Sequence, residues 1–116
     1  MTQDPDREEF TRQQLKHYLQ AASRREILVR MLRNLKFIYA NDAAWAKILP
    51  VLQRLAILEP DNELTIRDRG FAFANLDCPK EALADLQLYL RVKTDALDSF
   101  EIRAMLPALE AQLKRD

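Results

Sequence analysis

Phe37-Ile38-Tyr39-Ala40-Asn41 returns 34 residues later as Phe71-Ala72-Phe73-Ala74-Asn75, and that echo decides the fold. When Ile27 to Asp61 is laid on Asp61 to Asp95, eight of the 35 pairs are identical: Arg33/Arg67, Phe37/Phe71, Ala40/Ala74, Asn41/Asn75, Leu49/Leu83, Leu52/Leu86, Gln53/Gln87 and Asp61/Asp95. Ordinary composition would give roughly two. The chain is therefore read as two copies of one structural unit with flanking segments.

Working outward, 116 residues suit one domain that buries a core without metal or disulfide help. Eighteen basic and 18 acidic residues balance to a formal charge of zero, so no global field draws the chain to nucleic acid or a membrane surface. One glycine in the whole sequence leaves few positions for hairpin turns or phosphate-cradling loops, which favours an all-α chain over sheet and nucleotide folds. The single Cys78 has no internal disulfide partner, and the N-terminus lacks a signal-peptide layout, so the cytoplasm is the expected compartment. The longest apolar stretch, Ile48 to Leu58, is broken by Gln53 and Arg54 and is too short to span a bilayer.

Residues 1–9 carry Asp4, Asp6, Glu8 and Glu9 around Pro5 and are expected to be a mobile tail, leaving 10–116 as the folded domain. Phe10, Leu15, Tyr18 and Leu19 predict a short leading helix ending near Gln20. Ser23-Arg24-Arg25-Glu26 reads as a capping box opening a long helix to about Ala40, with Leu28, Met31, Leu32, Leu35, Ile38 and Tyr39 as its core stripe. A second helix, about Ala43 to Leu58, buries Trp45, Ile48, Leu49, Leu52, Leu55 and Ala56, and Pro50 within it predicts a bend near Ala46. Asn62 caps a third helix to about Leu76, where Gly70 in mid-helix implies close approach by a neighbour. Pro79 opens a fourth, to about Val92, with Ala82, Leu83, Leu86, Tyr89 and Leu90 inward. Asp98-Ser99-Phe100-Glu101 reads as an acidic capping box for a last helix over 98–114, striped by Ile102, Leu106, Leu109 and Leu113 and bent at Pro107.

These residues resemble the tetratricopeptide-repeat superfamily, whose 34-residue helix-turn-helix unit buries its apolar face only by stacking on a neighbour. Tyr39 and Phe73 fill the aromatic slot of each first helix, Gly70 and Ala82 the small slots, and Pro60 the closing proline, so repeats are placed at about 27–60 and 61–94 with a cap at 98–114. Four positions depart from the pattern: Lys36 and Ile48 stand where small residues belong, Pro79 where an aromatic does, and Thr94 where a proline does. Ala22-Ser23-Arg24-Arg25-Glu26-Ile27-Leu28, Arg67-Asp68-Arg69-Gly70 and Glu81-Ala82-Leu83-Ala84-Asp85-Leu86 are similar to the C-terminal region of bacterial SirB-type proteins, which join a transglutaminase-like domain to such repeats. That resemblance implies a repeat module without the transglutaminase-like half, either a fragment or a short relative.

Arg30, Arg33, Phe37 and Asn41 share one helical face, distinct from the core stripe, and Arg67, Phe71 and Asn75 repeat it. In a tetratricopeptide stack this face lines the concave groove, so the expected function is non-enzymatic capture of a protein or peptide partner with acidic and apolar side chains. The opposing expectation is that flanking helices cover Phe37 and Phe71. An accessory role beside a transglutaminase-like domain, and pairing with a second copy of the chain, are the alternative partner readings. A basic strip from Arg12 to Lys36 raises phosphate or RNA binding, but the zero net charge argues for a solvated face. No catalytic, cofactor or metal site is expected, because Cys78 and His17 are 61 positions apart and no ligand cluster accompanies either.

Overall fold

The computed structural model describes residues 5–94 and 96–115, and among them every regular element is helical. Five helices follow in order: α1 (Pro5–Asn41), α2 (Trp45–Leu58), α3 (Glu63–Asn75), α4 (Pro79–Val92) and α5 (Ser99–Arg115). The chain divides into two units, Met1–Met31 and Leu32–Asp116. The first is the N-terminal part of α1. The second holds the rest of α1 and the remaining helices.

Within the second unit α2 packs on α3, α3 on α4 and α4 on α5. Its main core is Ala82, Leu83, Leu86, Tyr89 and Leu90 of α4 with Ile102 and Leu109 of α5, and Phe71, Phe73, Ala74, Met105 and Leu106 close its edges. The inward face read for α4 is thus buried in full. On α2, Ile48, Leu52 and Leu55 are buried as their spacing requires, and Val51 joins them.

The tightest contact lies between α3 and α4. A Cβ placed on Gly70 would come within 2.8 Å of Leu86 and 3.2 Å of the Asp85 Cβ, so the glycine is explained by space and not by an unusual backbone angle. Beside it Arg69 donates two hydrogen bonds of 2.8 Å to the Asp85 carboxylate, whose residue is only 6% exposed. This bidentate pair keeps a charge satisfied inside a helix interface, where an unpaired carboxylate would be costly.

The repeat is also written in the turns. After α1, Ala43 has a positive φ of 52° and the Ala44 N–H bonds the Tyr39 carbonyl at 2.9 Å. After α3, Asp77 has φ 59° and the Cys78 N–H bonds the Phe73 carbonyl at 2.9 Å. Both are left-handed helix terminations of the Schellman type, 34 positions apart, and neither uses glycine.

Several local expectations are corrected. Ser23 and Glu26 do not open a helix, because α1 runs continuously from Pro5 to Asn41. Phe10 to Ala22 contain no glycine or proline, so nothing stops propagation upstream, and a capping box forms only where the chain leaves the helix. The expected leading helix is therefore part of α1. Of the mobile tail proposed for 1–9, residues 1–4 lie outside the described set and Pro5 begins α1.

The α1 core stripe is only partly buried: Leu32 is inside and Tyr39 half-buried, whereas Leu28, Met31, Leu35 and Ile38 are 45%, 56%, 37% and 52% exposed. Within the second unit the covered side of α1 runs through Leu32 and Lys36, which turns Leu35 and Ile38 toward solvent. Asp98 begins α5 by accepting the Ile102 N–H on its carbonyl at 3.0 Å. Its carboxylate is taken instead by Arg67 and Tyr89, since a charged donor outcompetes a local amide. Pro50 and Pro107, expected to bend α2 and α5, lie inside helices that continue on both sides of them.

Two substitutions test this account by chemical denaturation. Gly70→Ala should lower stability even though helix propensity alone would raise it by about 1 kcal/mol, because the added methyl meets Leu86 at 2.8 Å. Ala43→Gly should raise stability by about 1 kcal/mol by relieving the left-handed backbone.

Candidate functional site

The sites read from sequence fall in both units. Arg30 belongs to the first, where it is exposed; the others belong to the second. Phe37 is 67% exposed and Asn41 is exposed at the end of α1. Phe71 is half-buried, packing against the core and lying 6.0 Å below the Arg67 guanidinium. Asn75 donates its amide to the Phe71 carbonyl at 2.8 Å.

Neither repeated arginine is free of intramolecular partners. Arg33 holds both Glu59 oxygens at 2.8 and 2.9 Å, bracing α1 against the residue that follows α2. Arg67 bonds Asp68 on its own helix and Asp98 ahead of α5, each at 2.9 Å. Equivalent arginines thus do equivalent work: each ties the first helix of a hairpin to the segment after the second. The Tyr89 hydroxyl donates to Asp98 at 2.9 Å, and Lys36 donates to the other Asp68 oxygen at 3.1 Å. Lys36, Asp68, Arg67, Asp98 and Tyr89 therefore form one chain of charge-assisted hydrogen bonds linking α1, α3, α4 and the start of α5.

The hydrogen bond from Arg67 holds the Asp98 carboxyl below its ordinary range, against the opposing effect of burial. Burial, then the neighbouring Asp98, pushes the Tyr89 phenol above its ordinary value. These shifts describe a satisfied structural network and not a general acid or base poised near neutrality. No group of three or more metal-ligating side chains occurs among the described residues. Cys78 stands at the N-cap of α4 with its thiol directed to the Leu76 carbonyl at 3.6 Å.

A recess of about 180 Å³ opens beside this face among Lys36, Ala40, Trp45, Ile48, Leu52, Asp68 and Phe71. Of the residues that the sequence places along a concave groove, only Phe71 lines it; its other walls were not read from the sequence. Two departures from the repeat, Lys36 and Ile48, are among its walls. In the second hairpin Gly70 and Ala82 let α3 and α4 close on each other, whereas the equivalent positions of the first carry Lys36 and Ile48. Both of those larger side chains line the recess, together with the apolar Ala40, Trp45, Leu52 and Phe71 and the Lys36–Asp68 ion pair. Small-molecule and cofactor sites occupy about 300 to 1,000 Å³. This space suits one apolar side chain.

Asp98 supplies a pH test. Its folded-state pKa is lowered, so the stability it contributes is present above the ordinary carboxylate value of about 4 and is lost as pH falls through the lowered value. Asp98→Asn should flatten that part of the stability-versus-pH curve, measured by denaturant titration at a series of acidic pH values, while leaving the slope near neutrality unchanged.

A profile of the family described as Tetratricopeptide repeat matches residues 35–107. Among curated proteins, a UPF0162 protein of Xylella fastidiosa strain Temecula1 is 40% identical over 78 residues, covering 67% of this chain and 28% of that protein. Protein SirB1 of Salmonella typhimurium is 30% identical over 88 residues, covering 76% of this chain and 33% of that protein. The chain thus spans about a third or less of the length of the curated relatives it matches. No solved structure matches it significantly. With the repeated turns, the paired arginines and the matched span in agreement, the chain belongs to the tetratricopeptide-repeat family and is related to SirB1.

Proposed function

We propose that the second unit is a non-enzymatic module that binds a partner protein, taking one apolar side chain of the partner into the recess beside Phe37. Tetratricopeptide repeats are in general protein-interaction modules, and among the described residues no helix is long and apolar enough to cross a membrane. The observation that carries the reading is the open recess with two-thirds-exposed Phe37 on the neighbouring face of α1. Phe37 and Phe71 supply apolar contact, Asn41 and Asn75 offer amides at the helix ends, and Arg33 and Arg67 frame the face through their intramolecular pairs. Because both arginines already hold carboxylates, apolar contact and amide hydrogen bonds carry more of the affinity than charge does. The cytoplasm is the proposed compartment, where a lone thiol such as Cys78 persists reduced.

The partner put forward is the remainder of a SirB-type protein, the transglutaminase-like part that the resemblance implies. Its support is the length difference from the relatives, of which the chain matches 28% and 33%. The experiment is calorimetric titration of this chain against the portion of the Xylella protein outside the matched segment. Ala40→Arg, which fills the recess from an exposed position, and Phe37→Ala should each weaken binding by about tenfold or more, a loss of about 1.4 kcal/mol. Helix content should stay at the wild-type level in both. Unchanged affinity in both folded variants would remove the recess as the contact, and no binding to that portion would remove it as the partner.

A further inference from the structure

Lys36 and Asp68 stand among the otherwise apolar walls of the recess, and their hydrogen-bonding capacity is only partly used. The Oδ1 oxygen of Asp68 accepts twice from Arg67, whereas Oδ2 accepts from Lys36, at 3.1 Å. A carboxylate oxygen takes two hydrogen bonds, so Oδ2 has room for one more. The Lys36 ammonium carries three N–H bonds, and among the described residues it commits one of them, to Asp68. The recess wall thus offers a donor and an acceptor 3.1 Å apart, on side chains only 33% and 21% exposed.

The remaining walls are apolar. Ile48 and Leu52 are 3% and 0% exposed, and half-buried Trp45 and Phe71 add two aromatic rings. A space of about 180 Å³ has room for one further ring. The occupant that matches these walls brings an apolar body and, at its tip, a group that donates and accepts at once.

Most side chains fail one of the two conditions. Leucine, methionine and phenylalanine fill the space but take the ion pair out of water with nothing in return, which is costly. The tryptophan N–H only donates, arginine and lysine only donate, and a carboxylate only accepts. Serine, threonine, asparagine, glutamine and histidine carry a donor and an acceptor on too little apolar surface. Tyrosine meets both conditions. Its phenolic oxygen accepts from Lys36 while its proton goes to Asp68, and its ring finds aromatic neighbours.

We propose that the partner residue held in this recess is a tyrosine, with its ring against Trp45 and Phe71 and its hydroxyl bridging Lys36 and Asp68. The proposal rests on the reading that the recess takes a partner side chain, and narrows that side chain to one. The test is titration of the full chain with three capped pentapeptides, Ala-Ala-Xaa-Ala-Ala, carrying tyrosine, phenylalanine or leucine at the centre. Nuclear magnetic resonance follows the Trp45 indole N–H and the Ala40 methyl group. The tyrosine peptide should shift both signals and bind at least about fivefold more tightly than the phenylalanine peptide. Lys36→Met keeps the apolar stem and loses the ammonium, and should lower that preference by at least about threefold at unchanged helix content. The three peptides are compared first on the unaltered chain, so the outcome does not depend on how the variant folds. A phenylalanine or leucine peptide that binds as tightly as the tyrosine peptide overturns the tyrosine assignment and leaves the recess as a contact. So does a preference for tyrosine that the folded Lys36→Met variant retains in full. If no peptide shifts either signal, the recess reading itself falls, and the tyrosine with it.

Discussion

Close approach of α3 and α4 at Gly70 is the constraint on which the second unit depends. It places the Leu86 side chain where any side chain at position 70 would be, and it brings Arg69 within 2.8 Å of both Asp85 oxygens. Once the pair is closed, Leu83, Leu86 and Leu90 form a continuous floor on which α5 lays Ile102 and Leu109. Tyr89, on the same helix, then reaches Asp98 and fixes the start of α5. Packing, ion pairing and the placement of the last helix therefore follow from one missing side chain.

The first hairpin shows what happens without that constraint. Lys36 and Ile48 occupy the positions of Gly70 and Ala82, and α1 has no packed helix pair comparable to that of α3 with α4. Leu35 and Ile38 remain exposed and the recess stays open. Two copies of one sequence unit have thus taken different roles, a tight copy that supplies the core and a loose one that supplies a surface. The Lys36–Asp68 pair joins them, and through Arg67 and Asp98 the connection runs on to α5.

Balanced charge acquires a structural meaning in this arrangement. Arg33, Lys36, Arg67, Arg69 and Lys93 are each matched by a carboxylate from another helix or connecting segment. Those pairs consume basic groups that would otherwise suggest a phosphate-binding strip, at least within the second unit. In the first unit Arg12, Lys16, Arg24, Arg25 and Arg30 remain on an exposed helix.

The sequence by itself determined the helical class, the 34-residue period, the inward face of α4, the Ile102 and Leu109 contacts of α5 though not Leu113, which is 42% exposed, the Asn62 cap and the reason for Gly70, because each rests on local spacing or on a single residue type with few uses. It also pointed to positions 36 and 48 as departures, without saying what they would make. Tertiary structure decided the rest. Whether Ser23 caps a helix depends on what the chain upstream does, and whether Asp98 caps depends on an arginine 31 positions away. The two left-handed turns carry alanine and aspartate in place of glycine, so no residue signal marked them. Burial of α1 was illegible because an apolar stripe states that a face needs covering, while only the neighbours' side-chain volumes decide whether the chain covers it itself.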